Sequence, residues 1–158
     1  MCPSCNYCGY GGGDFGGKLD ADAMKKAIGE PKKYESYFDI PYSVLLRRAE
    51  QCGVARGWDD DKLAWLLLYG AWVARDSAQP AAEKEFHRRA RERFEVVAEK
   101  GEGNARAAAA YLVGEIHRRC GEPGKAKEWL DKAEKIAEEV KSENIPSWIK
   151  ACREEMGK

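Results

Sequence analysis

Three cysteines fall within the first eight residues, as Cys2-Pro3-Ser4-Cys5 and Cys5-Asn6-Tyr7-Cys8-Gly9. Two overlapping Cys-x-x-Cys steps turn neighbouring thiolates into one tetrahedral site, with Gly9 relieving the turn, so the spacing points to a bound metal. Zinc suits this donor set best. An iron–sulfur cluster is the competing reading, because Cys-x-x-Cys-x-x-Cys also opens ferredoxin-type motifs, but the Cys-Pro that closes such motifs is missing. Free surface thiols are the plain alternative, since a closed structural site needs four donors and three are clustered. The next Cys or His along the chain is Cys52, a possible fourth ligand; a histidine, a water or a second chain could also complete the site, the last making a homo-oligomer.

Other residue groups carry weaker chemistry. His87 and His117 are the two histidines, in the strings EFHRR and EIHRR, and Cys120 lies one turn beyond His117. An antiparallel hairpin about residue 102 would bring both histidines to one level, which makes a His87, His117, Cys120 pocket conceivable. No carboxylate partner is apparent, so two histidines flanking a helix interface is the plainer reading. Glu115 and Arg119 have the i,i+4 orientation that favours an ion pair. Glu115, Arg118 and Arg119 are therefore either a solvated helix face or contacts to a protein or peptide partner. The stripe Trp65, Leu68, Tyr69, Trp72 reads as core rather than as a cofactor box. GYGGGDFGGK lacks the Gly-Lys-Ser/Thr ending of a phosphate loop, and neither a zincin motif, a serine elbow nor a paired catalytic carboxylate site is present. An N-terminal Cys nucleophile would lack a general base. The reading is of a protein that is not an enzyme.

These residues must be positioned by helices. The 158 residues are 44% hydrophobic, which places the chain where one ordinary domain builds its own core without staples. Lys and Arg number 27 against 27 Asp and Glu, a balance that argues against a nucleic-acid or acidic-membrane partner. Leu63–Ala74, the longest uncharged run in the helical body, is too short to span a bilayer, and residues 1–20 lack the basic start and apolar stretch of a signal peptide. A cytoplasmic protein is expected. Residues 1–17 form a Cys/Gly-rich head and residues 18–40 a short helix, capped by Asp20 and ended by Gly29 and Pro31, with an aromatic connector; residues 41–158 form a helical domain. Within it helices are expected from Pro41 to about Gly57, from Asp59 or Asp60 through LAWLLLYGAWVA, from Pro80 to Lys100, from Asn104 to Cys120, from Pro123 to about Lys141, and from Pro146. The second of these, apolar all round, should be the most buried.

Gly114, Gly121, Ala126, Leu130 and Ala133 sit at the spacings of the small-residue and packing positions of a tetratricopeptide repeat. A looser copy aligns Gly70 with Gly114, and Ala90, Phe94 and Val97 with Ala126, Leu130 and Ala133, with about eight extra residues around 75–82. The fold class is thus all-α, antiparallel hairpins of tetratricopeptide-like type behind a metal knuckle. The segments CPSCNYCGYGGGDF (2–15) and YLVGEIHRRCGEPGKAKEWLDKA (111–133) resemble an uncharacterised bacterial family in which a Cys-Pro-x-Cys zinc knuckle precedes tetratricopeptide-like helices. Members usually carry an earlier knuckle, and none precedes Cys2 here, so either a smaller site is complete or a ligand comes from elsewhere. The resemblance implies a fold and a zinc ion but no activity. Function is then expected to be that of a protein-interaction or scaffold module with structural zinc; the alternative is a regulator whose Cys cluster senses metal or oxidant.

Overall fold

Asp20 opens the first helix as expected: its carboxylate accepts from the backbone N–H groups of Asp22 and Ala23, both at 3.0 Å, satisfying donors a helix start leaves bare. In the structure, a computed structural model that describes residues 20–29, 34–36 and 40–157, the described residues form seven helices and no strand. They are α1 (Ala21–Ile28), α2 (Tyr42–Ala55), α3 (Asp60–Asp76), α4 (Pro80–Lys100), α5 (Gly103–Arg119), α6 (Pro123–Glu139) and α7 (Ile145–Met156). None is long and apolar enough to cross a membrane. The chain divides within α4 into two compact units, one ending at Phe86 and the other beginning at His87.

In the first unit, Met24 and Ile28 of α1 pack with Ala49 and Cys52 of α2 and Leu66 of α3, and Leu46, Ala55 and Trp58 close around them. Arg48 reaches from α2 to donate to the carbonyl of Ile28, an acceptor that the end of α1 would otherwise leave to water. Leu63, Ala64, Leu66, Leu67, Leu68, Ala71 and Ala74 of α3 are all buried. The helix is nonetheless not covered all round. Tyr69 and Trp72 are 44% and 37% exposed and meet edge to face at 5.1 Å, so the aromatic stripe expected in the core is in part a surface. Leucine and alanine already fill the buried sides, whereas Tyr and Trp carry a polar edge that tolerates water. Val54 on α2 is exposed for the same reason of available space: Leu45, Ala49 and Cys52 occupy the buried face.

A glycine admits a bulky side chain of the next helix in each unit. A Cβ at Gly70 would stand 2.9 Å from the Phe86 ring, and one at Gly114 would stand 3.0 Å from Leu130. Both partners lie 16 residues after their glycine, so Gly70 meets Phe86 and not the Phe94 that the expected eight-residue insertion would place there. Residues 75–82 are the end of α3, its turn and the start of α4.

The second unit stacks three helices after the last turns of α4. Leu130, Ala133, Ile136 and Ala137 of α6 face Val113 and Ile116 of α5 across the Gly114 contact, all buried. Tyr111 contacts Trp148, Cys152 donates to Glu115, and Arg118 pairs with Glu155; each pair is separated by 37 residues. A constant separation means that α7 runs parallel to α5. Arg153 of α7 is held between Asp131 and Glu134 of α6, which connects to both neighbours through short links and runs antiparallel to them.

Four helices end in the same way. The residue two places beyond the terminus of α2, α3, α5 and α6 is left-handed (Gly57, Ala78, Gly121 and Lys141), and the N–H after it bonds back to Gly53, Ala74, His117 and Ala137 respectively. Gly57 and Gly121 were readable as stops. Ala78 and Lys141 were not, and the helix expected to reach Lys141 ends at Glu139 because Lys141 has φ +54°. A side chain in this region costs ~1 kcal/mol. Ala78→Gly and Lys141→Gly should therefore each raise the unfolding free energy by about 0.5–1 kcal/mol in denaturant titrations. The start of α5 also differs from expectation: Glu102, not Asn104, stands at its cap.

Candidate functional site

Cys2, Cys5 and Cys8 lie outside the described residues. Cys52, the possible fourth ligand, is fully buried among Met24, Ile28, Ala49 and Leu66, where packing accounts for it as a small hydrophobe. Among the described residues no group of three or more His, Cys, Asp or Glu side chains is arranged to hold a metal ion, so His87, His117 and Cys120 do not make a metal site.

The two histidines are both buried, and His117 has the carboxylate the sequence did not reveal. Gly121 folds the chain back so that the N–H of Glu122 bonds the carbonyl of His117, which brings the Glu122 carboxylate to 2.5 Å from Nδ1 of the imidazole. The hydrogen bond to His117, then that to Lys125, hold the Glu122 carboxyl below its usual range. Arg91 of α4 approaches the same carboxylate oxygen at 3.5 Å. The signal that would have found this contact is the glycine stop itself, since the cap places the residue after it against the last turn of the helix.

Glu115, Arg118 and Arg119 come together as the sequence suggested, and more tightly. Glu115 accepts two bonds from Arg118, at 2.7 and 2.8 Å, one from Arg119 at 2.5 Å and one from the thiol of Cys152 at 3.2 Å. Its side chain is 15% exposed, so this is not a solvated pair but the contact that ties α7 to α5. Burial pushes the carboxyl up, yet the bonds from Arg118 and Cys152 and the charges of Arg119 and Arg118 outweigh it, and the net displacement is downward. The partners respond in the matching sense. Arg118 is raised, first by its bond to Glu115. Burial and then Glu115 push the Cys152 thiol up to about 12, and the same order of causes takes Tyr111 to about 12.

Two expectations follow. A carboxyl depressed in the folded state contributes stability that is complete above the ordinary unfolded carboxylate value and is lost as pH falls through the folded value. An acid titration of Glu115→Gln should accordingly show a shallower loss of stability below the ordinary carboxylate pKa than the native chain. Cys152 and Cys52 should resist alkylation in the native state at mildly alkaline pH, because one is a protonated, buried thiol and the other is sealed in the core, whereas exposed Cys120 should react; peptide mapping after timed labelling reads this directly.

On the same edge of α5 and α7 stand Trp148, 45% exposed, and Glu155, 57% exposed at its side chain. Taken together these are the features of an all-helical protein with a polar and aromatic ladder between parallel helices. Residues 22–156 match the family described as uncharacterized protein conserved in bacteria (DUF2225), and the chain belongs to that family. The match begins after the Cys/Gly-rich head. No curated protein and no solved structure matches the chain.

Proposed function

We propose that this protein is a non-enzymatic protein-interaction or scaffold module, built of tetratricopeptide-like hairpins and carrying a structural zinc ion in its N-terminal head. The observation that supports the repeat reading is the constant 37-residue separation between contacting residues of α5 and α7. Alternating helices with every second one parallel is how helical repeats advance, and it lines one common face with the first helix of each hairpin. Glu115, Arg118 and Arg119 lie in that ladder, with Trp148 as its exposed aromatic rung. Trp and Arg are the side chains that most often anchor a protein interface. The partner is a protein or peptide. Because Arg118 also holds α7, the test uses Arg119→Glu and Trp148→Ala, whose side chains are substantially exposed. Both variants should keep the native circular dichroism and lose a partner captured by the native chain; retention of the partner by the double variant would remove this face from consideration.

For the head, three thiolates at Cys2, Cys5 and Cys8 are the zinc donors, with the fourth supplied from elsewhere than the packed core position of Cys52. Metal analysis of protein purified without added metal should return one zinc per chain. Chelation should then disturb the head more than the helices, which have their own core. Metal that exchanges readily, together with reversible oxidation of these three thiols, would favour the regulatory reading instead.

A further inference from the structure

We draw no further inference here: the strongest candidate, the exposed aromatic surface patch of Tyr69 and Trp72 on α3, is an apolar helix face and nothing in the structure shows what covers it.

Discussion

Replacing Leu130 by alanine should lower the unfolding free energy by about 2–5 kcal/mol, the range for a fully buried leucine whose surroundings relax only in part. Leu130 is wholly buried and sits over Gly114, which has no side chain of its own to fill the space Leu130 would vacate. Gly114→Val approaches the same contact from the other side. Its Cβ would meet Leu130 at 3.0 Å and the carbonyl of Ala126 at 3.3 Å, so overpacking should cost about 1–3 kcal/mol. Valine adds the three carbons that Leu130→Ala removes. The double variant should thus be more stable than the sum of the two losses by about 1 kcal/mol or more. Urea unfolding of the four proteins, with hydrogen exchange of the α5 and α6 amides, measures the cycle. Strict additivity would show that Gly114 and Leu130 do not share one contact.

Glu115→Gln should cost about 2–3 kcal/mol, because it removes the one carboxylate that faces two guanidinium groups and a thiol while leaving those donors in place. The effect should be local. Hydrogen exchange should rise first in α7, whose attachment to α5 depends on Glu115 through Cys152 and on Arg118 through Glu155. Arg119→Gln is the comparison that separates charge from position: Arg119 is 40% exposed at its side chain, and losing such a contact costs about 1 kcal/mol or less. Equal losses for the two variants would mean that Glu115 acts as an ordinary surface ion pair.

Helices were legible wherever a local signal marks them. Asp20 and Asp59 as caps, Pro80 and Pro123 at helix starts, and Gly29 and Gly121 at ends each act through the backbone of their own turn, so no distant residue is needed to read them. Ala78 and Lys141 adopt the same left-handed turn without the residue that usually announces it. The match between Gly70 and Phe86 was missed because spacing along one helix does not state which turn of the next helix it meets. The candidate site divides along the same line. Glu115 and Arg119 are neighbours on one helix and could be paired from sequence, whereas Cys152 and Glu155 join them only through the packing of α7. Tyr69 and Trp72 are apolar by composition, and their exposure depends on which side of α3 its neighbours occupy.

The 37-residue interval also bears on how the second unit comes together. Its ladder between α5 and α7 closes a stretch of chain only about one hairpin long, and the Gly114–Leu130 contact closes 16 residues. The entropy lost in closing such loops grows only as the logarithm of their length, and chains dominated by near-neighbour contacts of this kind fold on the microsecond to millisecond scale. Refolding of this unit is thus expected to be fast, and because α5 and α6 share a contact of shorter span, α7 should be the last of the three helices to lock.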